Sequence, residues 1–194
     1  MILLSCPLHG RTGHEAAWAL LAEGYRRETG EELPQVARMD RGKPYFPHSS
    51  WHFSLSHTSR HAFCVLAKEP VGIDAEELDR PIRLALAEKI LSPEEYRQFS
   101  QAEDQRRALL TFWVLKEAAA KCTGEGLRGY PNHTHFSLED PRVTVKDGCL
   151  VAVIPLCEDS RCEIQDRGIS AVGGGAFDAP PAPAIVGGGF PPSP

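Results

Sequence analysis

The sequence lacks most of the features that would classify it at sight. No stretch of its 194 residues approaches the roughly 20 consecutive apolar residues that a membrane-spanning helix needs. There is no basic surplus: 21 Lys and Arg stand against 26 Asp and Glu, a formal net charge of −5. That balance argues against general nucleic-acid binding and still allows a local basic pocket. The six cysteines form no C-x-x-C pair, which sets aside a zinc ribbon. Cys64 and Cys122 stand in apolar segments, as buried thiols do. Cys157 and Cys162 are near enough in sequence to pair, but nothing else points to an oxidising compartment, so reduced thiols in the cytoplasm are expected. Leu3-Leu4-Ser5-Cys6 has the outline of a lipoprotein cleavage box without a basic flank or a full apolar core, and reads instead as a first strand. Neither glycine nor proline occurs between Glu94 and Thr123.

What is present is ordinary for a globular chain: 42% hydrophobic and 24% charged residues, enough for one domain or two small ones. Ala17, Leu20, Leu21 and Tyr25 give His14–Glu28 the spacing of an amphipathic helix, stopped at Thr29-Gly30. Arg41-Gly42-Lys43-Pro44 reads as a turn. His52–His57 alternates apolar and polar residues as a strand does, His61–Ala67 is a second strand, and a third begins at Val71 after Glu69-Pro70. Ser92 as N-cap, Pro93 and Glu95 start a helix, and the polar run Ser100–Asp104 predicts a break. A further helix runs from Gln105 to Cys122 and ends at Gly124. Phe136–Leu138, Arg142–Val145 and Cys149–Ile154 read as strands, with Asp147-Gly148 as a hairpin turn.

Two short words recur in order: TGEEL then HFSLSH in the first part, TGEGL then HFSLED in the second. The repeat predicts an α+β fold, a pseudo-dimer of two similar α+β halves over 1–73 and 74–172, with a ligand cleft at their interface. The Gly- and Pro-rich tail 173–194 is expected to be extended or disordered.

Asp74 and Glu76, two apart on a strand, share one face, and two adjacent anions invite a hard divalent cation. Solvated acids at a strand end give the same pattern, and this pair alone favours that simpler reading. Glu117 and Lys121 share a helix face one turn apart, with Trp113 one turn earlier on the same stripe. An exposed ion pair would explain them, but FWVL before and AAA after make exposure awkward. Lys43, Ser56 and His57 are polar groups near turns or strand ends; a lone histidine is more often structural.

R-G-K-P, S-L-S-H-T, G-I-D-A-E and W-V-L-K-E-A-A-A-K occur in an order and spacing that resembles the 4′-phosphopantetheinyl transferases of the surfactin-synthetase-activating type. The resemblance spans roughly Arg41 to Leu138. It implies transfer of the phosphopantetheine arm of coenzyme A to a serine of an apo acyl or peptidyl carrier protein, by a monomer that binds neither nucleic acid nor membrane. By position, Asp74, Glu76 and Glu117 resemble that family's Mg²⁺ ligands, with Mn²⁺ as the alternative ion. Glu117 and Lys121 resemble its catalytic pair. Arg41, Lys43, Pro44, Ser56, His57, Lys116 and Lys121 resemble its coenzyme contacts. The N-terminal part is shorter than in such members, and Arg11 is the residue available to replace their basic groups before the first helix. The carrier is expected near Ile82–Phe99, against Leu91, Tyr96 and Phe99. A Mg²⁺-dependent phosphodiesterase or nuclease, or a non-catalytic coenzyme A-binding protein, would use the same residue types.

Overall fold

The computed structural model describes residues 1–126 and 135–156, and the backbone of 165–166. It is a stack of four layers, two sheets face to face with a long helix on each outer side. The first lobe contains β1 (Ile2–Pro7), α1 (Gly13–Thr29), a short pair β2 (Ala37–Arg38) and β3 (Pro44–Tyr45), β4 (His52–His57) and β5 (His61–Ala67). The second begins with β6 (Val71–Glu77) and continues through a 3₁₀ turn at Leu84–Leu86, α2 (Ala87–Ile90), α3 (Pro93–Gln101) and α4 (Gln105–Thr123) to β7 (Val143–Lys146) and β8 (Cys149–Pro155). No described helix is long and apolar enough to cross a membrane.

Apart from a two-residue parallel strand that extends the first sheet beyond β1, the order is β4-β5-β1 in one sheet and β7-β8-β6 in the other, all antiparallel. Each lobe therefore runs strand, helix, hairpin, with the second hairpin strand in the centre. The lobes meet through alternate residues. Cys64 and Leu66 of β5 face α1, while Phe63 and Val65 face the second sheet. In β8, Val151 and Val153 meet the first sheet while Leu150, Ala152 and Ile154 lie under α4. Burial on both faces explains why β5 and β8 read as continuous apolar runs.

The boundary expected at 73/74 falls inside β6. Val71, Gly72 and Ile73 already pair with β8, so the chain crosses between lobes at residues 68–70. A two-residue strand, β9 (Gln165–Asp166), runs parallel to β1, so the chain returns to the first sheet inside the span assigned to the second half. The tail 173–194, with Cys157 and Cys162, lies outside the described residues. Cys6, Cys64, Cys122 and Cys149 are free thiols.

The two TGE words take the same local form, because Gly30 and Gly124 close α1 and α4 in the left-handed conformation. The two HFSL words do not. The first is β4, but Phe136–Leu138 forms no strand. The Phe136 N–H is taken by the Glu95 carboxylate at 3.1 Å and the Leu138 N–H by the Gln98 side chain at 3.1 Å. Side chains of α3 thus satisfy the backbone donors that a ladder would have used.

Gly72 sets the distance between α4 and β6. A Cβ there would lie 1.9 Å from the Ala118 carbonyl oxygen and 2.4 Å from the Cys122 nitrogen, both backbone atoms of α4. Gly72→Ala should push α4 outward at a cost of about 1–3 kcal/mol or more, read as a lower urea midpoint. An unchanged midpoint would show that α4 is not seated on this residue.

Candidate active site

Because β6 alternates, Val71, Ile73 and Ala75 enter the inter-sheet core, and Gly72, Asp74 and Glu76 face α4. α4 brings Trp113, Glu117 and Lys121 to that face from one stripe. Lys121 Nζ donates to Asp74 Oδ1 at 2.7 Å and to Ser56 Oγ at 3.4 Å, and Ser56 Oγ in turn donates to Asp74 Oδ1 at 3.0 Å. Trp113 Nε1 donates to Glu76 Oε1 at 3.2 Å, and Arg80 also pairs with that oxygen.

Ser54 and Ser56 look in sequence like the solvated face of β4, yet both are buried. Ser54 Oγ accepts the Ile73 N–H at 3.1 Å and Ser56 Oγ the Ala75 N–H at 3.2 Å. The hydroxyls thus satisfy the free edge of β6 and tie the first lobe to the strand carrying the acids.

Beside this cluster is a cavity of about 270 Å³. Arg41, Lys43, Pro44 and Phe53 line it from the first lobe, and Glu117 and Lys121 from α4. It therefore lies at the seam between the lobes. Arg41 is held by the Glu125 carbonyl. Lys43 Nζ donates to the Cys122 carbonyl at 2.6 Å, at the C-terminal end of α4, where a cation is favoured. Its stem lines the cavity while its amine caps a helix, and burial lowers its pKa. His57 is exposed, with its ring against Gly13 at the start of α1. Arg11 is exposed and donates to the Leu8 carbonyl and, at 3.7 Å, to Cys6 Sγ.

Two expectations are corrected. Lys116 does not face the cavity. Its side chain is buried and pairs with Glu95 at 2.8 Å on the other side of α4. Glu95 also accepts the Ser92 N–H at 2.8 Å, so the helix-starting box of α3 is closed from below by a helix lysine. Consecutive residues on a helix point about 100° apart, so Lys116 and Glu117 leave α4 in different directions. The other correction concerns Leu91 and Phe99, which are core residues; in that segment Leu84 and Tyr96 are the exposed large apolar side chains.

The carboxylates are not equivalent. Asp74 is buried, and its Oδ2 has no hydrogen-bond partner. Glu117 is half-buried; burial first, and then the Asp74 charge, raises its pKa above the usual carboxylate range, with Lys121 and Arg80 acting the other way. An orphaned buried oxygen beside a second, destabilised carboxylate suits a hard cation that takes one or two carboxylates and completes its shell from phosphate and water. Glu76 is turned to Arg80 and Trp113. Among the described residues no three His, Cys, Asp or Glu side chains are gathered to hold a metal, so the expected convergence of all three acids is not present.

Residues 70–164 match the family model of the 4′-phosphopantetheinyl transferase superfamily. This stretch is just under half of the chain. It contains Asp74, Glu76, Glu117 and Lys121, whereas Arg41–Pro44, Ser56 and His57 precede it. The chain is 38% identical over 100 residues to the 4′-phosphopantetheinyl transferase psf-1 of Bacillus pumilus, covering 50% of this chain and 42% of the relative. It is 32% identical over 116 residues to the 4′-phosphopantetheinyl transferase ffp of Bacillus subtilis, covering 58% and 51%. A holo-[acyl-carrier-protein] synthase of Neisseria meningitidis is 42% identical over 65 residues, covering 30% and 52%. The chain thus spans about half the length of the curated relatives it matches.

Sequence reasoning missed Arg80 and the burial of Ser54. Arg80 follows a strand end, where no periodicity points it at Glu76. Lys116→Met leaves the Glu95 carboxylate buried without its ammonium partner, at an expected cost of about 3–5 kcal/mol, and Glu95→Gln/Lys116→Met should recover most of it. Chemical denaturation of both variants checks this. Lost activity with an unchanged midpoint would return Lys116 to the cavity.

Proposed function

We propose that the chain transfers the 4′-phosphopantetheine group of coenzyme A to a serine of an apo acyl or peptidyl carrier protein and releases 3′,5′-ADP. The observation that carries this reading is the seam cavity, walled by Arg41–Pro44 and by Glu117 and Lys121, with Lys121 tied behind it to Asp74, whose second oxygen is unpartnered. The matching strand order of the lobes supports a pseudo-dimer with its site at the interface.

A serine hydroxyl is a weak nucleophile and needs a base in reach; Glu117 takes that proton, directly or through water, and its raised pKa suits the task. The serine oxygen bonds to the phosphorus that carries the pantetheine arm, and the bond from that phosphorus to the ADP oxygen breaks. Lys121, already fixed by Asp74 and Ser56, lends positive charge to the departing phosphate. Mg²⁺, or Mn²⁺ in its place, held by Asp74 and Glu117 with Glu76 as a further ligand, would supply charge neutralisation for the pyrophosphate. Arg41, Lys43, Pro44 and Ser56 border the coenzyme. His57, beside the positive end of α1, is suited to its 3′-phosphate. Leu84 and Tyr96 offer the carrier an apolar contact. The protein is read as a cytoplasmic monomer.

The test is the intact mass of several apo carriers after incubation with coenzyme A and Mg²⁺. The wild-type protein should add one phosphopantetheine, and both chelator and Glu117→Ala should abolish the gain while the variant stays folded by circular dichroism. A fully active Glu117→Ala protein would remove Glu117 from the chemistry. Cleavage of coenzyme A without carrier modification would mark a hydrolase, and binding without turnover a non-catalytic protein.

A further inference from the structure

Arg80 occupies an unusual place beside the acids. Its guanidinium pairs with Glu76 Oε1, the oxygen that also accepts the Trp113 indole N–H at 3.2 Å, and stands 5.8 Å from the centre of the Trp113 ring. The root of the residue is fixed. The Arg80 N–H closes a turn onto the Glu77 carbonyl at 2.9 Å, and Arg106 of α4 donates to the carbonyls of Leu78 and Arg80. The tip is not fixed in the same way, because the side chain is 40% exposed.

The three acids accordingly carry different partners. Asp74 shares one oxygen with Lys121 and keeps the other unpartnered. Glu117 lies within electrostatic reach of Asp74, Lys121 and Arg80 without a hydrogen bond to any of them. Glu76 alone is matched by a guanidinium. A guanidinium and a divalent cation drawn to the same carboxylate oxygen repel each other strongly.

We infer that Arg80 is a built-in counter-ion for Glu76, and that a divalent cation can take Glu76 Oε1 only when the guanidinium swings away from it. This deepens the cation reading above and rests on it. It accounts for the absence of a gathered three-carboxylate group among the described residues. It also makes Arg80 a positioning residue that sets how readily the apo protein takes a cation. A guanidinium released from Glu76 has solvent on one side and the Trp113 ring as a ledge, so its movement requires no rearrangement of the backbone turn.

The test is Mn²⁺ binding followed by the electron paramagnetic resonance signal of the free ion, without coenzyme A. Arg80→Gln should bind Mn²⁺ more tightly than the wild-type protein, on the order of tenfold. Arg80→Met, which keeps the hydrocarbon stem over Trp113, should show the same gain and serves if Arg80→Gln is unstable. Adding Glu76→Gln to either variant should erase the gain. In the wild-type protein Mn²⁺ should also change the fluorescence that Trp113→Phe removes. Equal or weaker binding by both Arg80 variants would overturn the inference and leave the cation reading standing. No Mn²⁺ bound by any of these proteins would overturn the cation reading and the inference with it.

Discussion

The close seating of α4 on β6 at Gly72 is the constraint on which the rest depends. With only a hydrogen at this position, the helix backbone comes within contact distance of the strand. The side chains of Trp113, Glu117 and Lys121 then lie over Glu76 and Asp74, near enough for direct hydrogen bonds from Trp113 and Lys121. A larger residue would lengthen every one of these contacts together. The second anchor is the pair of β4 hydroxyls on the β6 backbone, which brings the first lobe against the same strand. Both anchors converge on one short stretch, Gly72–Ala75.

α4 separates its charges by face. Toward β6 it presents Glu117 and Lys121, half-buried at the seam. Toward α3 it sends Lys116, fully inside, to Glu95. A buried ion pair is not in general a net source of stability, because desolvation offsets much of the attraction. Here it joins the N-terminal box of α3 to Phe136, whose N–H ends on the same carboxylate. The pair thus specifies where two elements meet. At the seam the balance is different: Asp74 keeps an oxygen without a donor and Glu117 is held in a setting that disfavours its charge. Buried polar groups left short of partners, beside groups whose charge is disfavoured, are characteristic of sites that take a ligand.

Much of this was legible in the sequence where one local rule governs. Capping residues located the start of α3 and the ends of α1 and α4, alternation located β4, and apolar runs located β5 and β8. The shared face of Asp74 and Glu76 followed from strand period alone. Tertiary partners decided the rest. Ser54 and Ser56 alternate like a wet face, but a second strand edge supplies the donors that bury them. Phe136–Leu138 has strand composition, but α3 side chains capture its N–H groups. Lys116 neighbours Glu117 in a charged motif, and only the position of Glu95 shows that it turns inward. Arg80 carries no local signal, since its relation to Glu76 depends on how a turn is pinned by Arg106 from a distant helix.

The central claim is that Asp74 and Glu117, far apart in sequence, form one cation site at the seam of the lobes. The most direct measurement is anomalous diffraction from crystals of the protein grown with Mn²⁺. A single manganese peak in contact with both Asp74 and Glu117 is the predicted result. Manganese bound elsewhere, with these two carboxylates bare under saturating ion, would contradict the account.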